Sequence, residues 1–156
     1  MLDNQSIKDI LFAQNDTLEF SEENSAFLNV WVAPEELHSL GLFLRDDPRL
    51  QFDYLFCMTG VDWPTEDTLE IVCHLRSIPL GHQMVLRCKT GSRDNPELDT
   101  LSDIWPTTHM HEREIYDLFG IRFKGHTNLK RLFLDPSWDG HPLKKDYVDE
   151  VNLIVK

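Results

Sequence analysis

The stretch from Phe52 to Lys89 does most to limit the fold. Three runs within it, FDYLFCMTG (52–60), TLEIVCHLR (68–76) and HQMVLRCK (82–89), are rich in aliphatic, aromatic and β-branched residues, the side chains that fit a pleated, half-buried surface. Turn-forming residues separate them, Pro64 to Asp67 and Ile78 to Gly81, so the runs are expected to pair as an antiparallel meander. With 156 residues, 41% of them hydrophobic, the chain is long enough to bury roughly two-thirds of its unfolded surface around one core.

Other segments supply the cover for that sheet. Ser6 to Gln14 (SIKDILFAQ) sets Ile7, Ile10 and Leu11 at helical spacing, with Ser6 as the expected cap. Ala26 to Val32 (AFLNVWV) alternates Phe27, Asn29 and Trp31 against Leu28, Val30 and Val32, the pattern of a strand with one buried face. Pro34 at a first helical position, Glu35 and Glu36 in the first turn, and the stripe Leu37, Leu40, Phe43, Leu44 predict a helix closing before Pro48. Asn95-Pro96-Glu97 reads as a helix start and Trp105-Pro106 as its end. A further helix, capped by Thr108, is expected to run to Phe119. From Leu134 onward proline, glycine, aspartate and lysine dominate, and no apolar pattern returns until Val151 to Val155. The expected organisation is an α/β domain of the α+β type over residues 1–133, its mixed, largely antiparallel sheet covered by helices, with an extended C-terminal arm over 134–156 that docks on a partner.

The formal charge of −12 speaks against nucleic acid, whose binding rests on lysine and arginine neutralising phosphates. Between Arg122 and Lys145, however, six basic residues face two acidic ones, a net of +4 that leaves −16 on the rest. Cys57, Cys73 and Cys88 are widely separated and form no C-x-x-C pair. Buried strand positions in a reducing compartment are expected for them, and three scattered thiols cannot supply a four-thiolate iron–sulfur cluster. No basic, apolar signal segment opens the chain, and no run of about 18 apolar residues crosses it.

Charge is densest in EREIYDLFG, from Glu112 to Gly120. On a helix over this stretch His111, Ile115, Leu118 and Phe119 fall on one stripe that should bury, leaving the charged residues elsewhere. Arg113 and Asp117 are four apart and are expected to pair, with Gly120 as a left-handed cap. A solvated helix face is one reading. The adjoining basic segment, interleaved with Leu129, Leu132, Phe133 and Trp138, favours a protein–protein surface instead. Catalytic readings find thinner support. Glu112 and Glu114 point in different directions on a helix, the histidines of H-x-H (His109, His111) diverge, and the P-C-x-x-C that would complete a deaminase pattern is absent. Nor is there a glycine-rich phosphate loop or a G-x-S-x-G elbow, and Cys57 reads as core rather than nucleophile.

The residues also resemble a family. EREIYDLFGIRFKGHTNLKRLF is similar to the signature of the C, or 30 kDa, subunit of NADH:quinone oxidoreductase, respiratory complex I. In that signature E-R-E is followed at fixed spacing by an acidic residue, two apolar residues, a histidine or lysine, and a basic residue before an aliphatic one. Here these are Glu112-Arg113-Glu114, Asp117, Leu118-Phe119, His126, Lys130 and Leu132. DPSWDGHPLKKDY (135–147) resembles the same family's ending.

The resemblance implies a subunit with no redox centre of its own, docked in the peripheral arm of the complex on the D (49 kDa-type) subunit, near the quinone site. The complex transfers electrons from NADH to quinone through FMN and iron–sulfur clusters held elsewhere and couples this to proton translocation. Glu112, Glu114 and Asp117 would then meet partner cations or amides of the tail. Arg113, Lys130, Arg131, Lys144 and Lys145 would meet carboxylates, and His126, Trp138, His141 and Tyr147 would complete the partner surface. On this view the tail orders only on its partner, and Arg131→Glu weakens assembly without unfolding the domain. The implied location is the cytoplasmic side of a bacterial inner membrane. Two alternatives stay open, the equivalent subunit of a membrane-bound hydrogenase and a free-standing acid/base enzyme using Glu112, Glu114 and His126.

Overall fold

The structure is a computed structural model that describes residues 1–23 and 25–149; the apolar run expected at Val151 to Val155 lies outside the described residues. The first helix, α1 (Asn4–Gln14), begins at Asp3, whose carboxylate accepts the Ser6 amide at 2.8 Å. The cap is therefore Asp3 and not Ser6. Helix α2 (Leu37–Asp46) follows a single 3-10 turn at Pro34–Glu36 and stops before Pro48, as its stripe predicted. On its inner face Gly41 lets the helix approach closely, since a Cβ there would lie 2.8 Å from Ile104 Cδ1.

Among the described residues one sheet has five strands, β1 (Glu19–Ser21), β2 (Asn29–Val32), β3 (Tyr54–Trp63), β4 (Thr68–Arg76) and β5 (Gln83–Lys89), in the order β1-β2-β5-β4-β3. The β3-β4-β5 meander is antiparallel throughout, whereas β2 lies parallel to β5 and pairs antiparallel with the short β1. Alternation sends Leu69, Ile71, Cys73 and Leu75 of β4 and Met84, Leu86 and Cys88 of β5 to one face. There they join Val30, Val32, Ile7, Leu11, Leu37, Leu40, Leu44, Trp105 and Ile115 in one core, each such side chain contributing about 1.5–3 kcal/mol on burial.

A register shift between Leu55 and Cys57 puts Phe56 out of step, so Leu55 and Met58 both face inward and Cys57 is exposed on the far side. The expectation that all three cysteines are buried thus fails at Cys57. The bulge, which reverses the alternation, is the reason. On that far face Glu70 is nonetheless fully buried. It accepts both indole N–H groups of Trp31 and Trp63 and two bonds from Arg87, whose guanidinium stacks 4.8 Å from the Trp31 ring.

The segment expected to be helical from Asn95 to Trp105 is not. Glu97–Asp99 forms strand β6, which pairs in parallel with β7 (Arg122–Lys124) as a second, two-stranded sheet, Leu98 beside Phe123. Only Leu98 of the three β6 residues turns inward, so pairing with a distant strand outweighs a local start signal. Trp105 closes this stretch, buried and donating its indole N–H to the Phe52 carbonyl at 2.7 Å. Helix α3 (Thr108–Phe119) then packs against β3, with Phe119 over Gly60. Thr108 does not cap it: its hydroxyl donates to the Trp105 carbonyl and its side chain is buried.

Candidate functional site

The charged helix and the segment after β7 fold against one another. Glu112 sits on the buried face of α3, contrary to the placement of the charges outside the apolar stripe. Its side chain is 0% exposed. It accepts the Thr100 hydroxyl at 2.5 Å and the Leu101 amide at 2.7 Å, fastening the helix to the turn after β6. Burial pushes its carboxyl up to about 7, against the opposing pull of Thr100, Leu101 and Thr108.

One turn on, Asp117 is also 0% exposed. One of its oxygens accepts three successive amides, Leu132 at 2.9 Å, Phe133 at 2.7 Å and Leu134 at 3.0 Å, and the other accepts Arg131 at 2.8 Å. Burial raises this carboxyl, but Arg131 and the three amides outweigh it and hold it below the usual carboxylate value.

The expected Arg113–Asp117 pair does not form, because both partners are engaged elsewhere. Arg113 reaches across to the carbonyls of Lys130 at 3.2 Å and Arg131 at 3.0 Å, and Asp117 is taken by Arg131. Arg131 is 14% exposed at its side chain and also donates to the carbonyls of Asp117, Trp138 and Gly140. His126 accepts the Asn128 amide at Nδ1, so Nε2 carries the proton and donates to the His109 carbonyl at 3.0 Å; the two imidazoles stack 4.3 Å apart. Glu114 is half-buried and Lys130 exposed, and neither side chain has a hydrogen-bond or ion-pair partner among the described residues.

The arm continues these ties. Gly120 ends α3 at φ +85°, as expected, and its missing Cβ leaves room for His141, whose ring would otherwise lie at 2.7 Å. His141 bonds the Asp117 carbonyl through Nδ1, and the Leu143 amide donates to the Leu118 carbonyl. Lys144 reaches the Arg93 carbonyl, the Lys145 amide donates to Asp62 at 2.7 Å, and the Lys145 ammonium stands 5.9 Å over the Trp63 ring. Tyr147 packs against Gly140. Residues 134–149 therefore lie along their own domain, which corrects the expectation that the tail orders only on a partner.

Sequence reasoning missed the residue at the centre of this clasp. Arg93 donates twice to Asp62 and twice to Asp146, with all four distances between 2.6 and 2.9 Å. Those bonds raise Arg93 above its usual range, and the Arg93 bond is the largest influence holding Asp62 low. The partners are 31 and 53 residues away in sequence, and no local pattern around Arg93 marks it.

The geometry does not bring Glu112, Glu114 and His126 together as an acid/base site. Glu112 is shut in with Thr100 and Leu101, His126 is bound to a carbonyl, and Glu114 joins neither. Among the described residues no three His, Cys, Asp or Glu side chains converge as a metal set.

Comparison with known proteins places the chain among relatives. A family model described as respiratory-chain NADH dehydrogenase, 30 Kd subunit, matches residues 30–151. The C subunit of the NADH-quinone oxidoreductase of Chlorobium phaeobacteroides is 41% identical, covering 81% of this chain and 76% of that one. The fused C/D subunit of the NADH-quinone oxidoreductase of Phocaeicola vulgatus is 41% identical over 78% of this chain and 23% of its own length. Among solved structures a trypsin-resistant fragment of Nqo5 aligns with TM-score 0.69 at 24% identity, covering 80% of this chain and 99% of the fragment. A chain of a membrane-bound sulfane sulfur reductase, an archaeal respiratory membrane complex, aligns with TM-score 0.79 at 23% identity, covering 94% and 86%. Both share the fold. With the family match running over residues 30–151 and a relative 41% identical over 81% of the chain, the chain belongs to the 30 kDa subunit family of respiratory-chain NADH dehydrogenase.

Proposed function

We propose that the chain is a non-catalytic subunit in the peripheral arm of a NADH:quinone oxidoreductase, seated on the D-type subunit beside the quinone site. The complex would carry electrons from NADH to quinone and couple this to proton translocation. The observation that carries this reading is where the signature's charges go. Glu112 ties α3 to the turn after β6, and Arg113, Asp117, His126 and Arg131 tie α3, the loop after β7 and the arm to one another, so they shape a surface. Relatives named as C/D fusions support D as the neighbour.

The thiols do not fit an iron–sulfur cluster, because Cys73 and Cys88 lie in the core and Cys57 on the opposite face of the sheet. A cluster would accordingly be held by another subunit, and in this reading FMN, NADH and quinone belong to other subunits as well. This chain supplies binding area and rigidity. Glu114 and Lys130, together with Trp138, His141, Lys144, Lys145 and Tyr147 along the arm, form its partner face. Residues 1–133 act as the body and 134–156 as the docking arm. No described helix is long and apolar enough to cross a membrane, and attachment to the cytoplasmic side of a bacterial inner membrane runs through the complex.

The test is affinity capture of the tagged full chain from native membranes, with identification of what accompanies it. Flavin and iron–sulfur subunits with NADH:quinone activity are expected. A nickel-containing subunit would move the assignment to a hydrogenase-type complex. A chain recovered alone and monomeric would refute the subunit reading.

A further inference from the structure

By sequence the segment from Arg122 to Lys145 is basic, and its cations are expected to seek carboxylates on a partner. In the structure three of them turn home. Arg131 is held by Asp117, Lys144 by the Arg93 carbonyl, and Lys145 stands over Trp63. What the arm offers outward is a cavity of about 910 Å³, lined by four aspartates and one lysine and walled by Trp138 and Tyr147. Asp139, one of the four, is exposed and without a partner among the described residues.

A second observation is independent of the charges. Trp138 lines this cavity, and its indole N–H is cut off from solvent with no acceptor among the described residues. Buried donors are rarely left so, and an incoming oxygen with a small adjustment of the wall would satisfy it.

We propose that this cavity receives a lysine- or arginine-bearing segment of the D-type subunit. The cation lies between Asp139 and the faces of Tyr147 and Trp138, and a main-chain carbonyl of the same segment takes the Trp138 N–H. The assignment rests on the subunit reading above and inverts its electrostatics: the receiving face of the D-type subunit is basic where the arm meets it.

The experiment is titration of the full chain against the recombinant D-type subunit from the same source at low and high salt. Three variants are compared, Asp139→Lys, Trp138→Phe and, as a control on an exposed carboxylate far along the chain, Asp16→Lys. Asp139→Lys is expected to weaken binding by about tenfold or more at low salt, Trp138→Phe to weaken it at both salts, and Asp16→Lys to leave it unchanged, all three with melting curves like that of the parent. Binding that is undiminished by both cavity variants overturns the cavity assignment and leaves the subunit reading intact. Equal weakening by Asp16→Lys also overturns it, as a general charge effect. No binding by the parent chain removes both. Self-association of the purified chain, abolished by Asp139→Lys, would make a second copy the occupant and overturn the assignment as well.

Discussion

At Glu112 a residue that reads as surface charge is a buried acid. Its carboxyl ordinarily titrates near 4.5 and in the fold near 7, so the folded chain holds the proton more tightly. The resulting stability is fully present below about pH 4.5 and is lost as pH rises through about 7, an effect of about 3 kcal/mol. Glu112→Gln keeps an acceptor for the Leu101 amide and a donor toward Thr100. It is expected to match the parent near pH 5 and exceed it at pH 8, measured by denaturant unfolding at each pH; parallel pH profiles would show that Glu112 is ionised throughout. Arg131 corrects the sequence expectation in the opposite sense. Arg131→Glu sets a carboxylate against Asp117 and removes four donated bonds, so detachment of the arm and a loss of about 3–5 kcal/mol are expected in the isolated chain. Helical periodicity made α3 legible. It could not say which carboxylates go inside, because their partners at Thr100, Leu101 and 131–134 come from turns with no periodicity of their own.

Among the elements, the meander and the three helices α1, α2 and α3 could be read because each repeats a period over seven or more residues. The misreadings fall on short pieces. β1 and β6 span three residues each, too few for alternation to register, and their existence depends on β2 and β7. The caps at Asp3 and near Thr107 were misplaced by one to three residues, where several polar side chains compete. Gly120 was legible as a helix end, but the proximity of His141, 21 residues on, was not. Gly120→Ala is expected to strain the left-handed position by about 1–2 kcal/mol and to push His141 out. Faster hydrogen exchange at the Leu143 amide, which donates to the Leu118 carbonyl, is the readout, and unchanged protection there would mean that the arm does not depend on this contact.

For the molecule as a whole, titration pulls in opposing directions. Burial holds His74 and His82 below their ordinary value of 6.5, with Arg87 adding to the effect at His74 and the Leu50 carbonyl opposing it at His82. They contribute stability above that pH, and it is lost as pH falls. Asp62 and Asp117 lie below 3.8, and their contribution goes as pH drops through their folded values. Set against Glu112, whose contribution is lost as pH rises through about 7, these groups make stability fall on both the acid and the alkaline side, and acid releases the arm only once pH passes below the lowered folded values of both anchoring carboxylates. Limited proteolysis across pH is the check. Because Asp62, Arg93, Asp117 and Arg131 are at most 14% exposed, salt up to about 1 M should leave the arm in place; release by salt alone would mean that the anchors are solvated.

The clasp of Asp62, Arg93 and Asp117 on the arm also decides when ordering is paid for. Fixing a residue's backbone forfeits roughly 1–2 kcal/mol of conformational entropy, and for residues 134–149 that loss falls on the folding of the single chain. A subunit meeting this one encounters a finished contour, so association needs no coupled folding step. Its heat-capacity change should then report only the area covered and not the collapse of a loose tail.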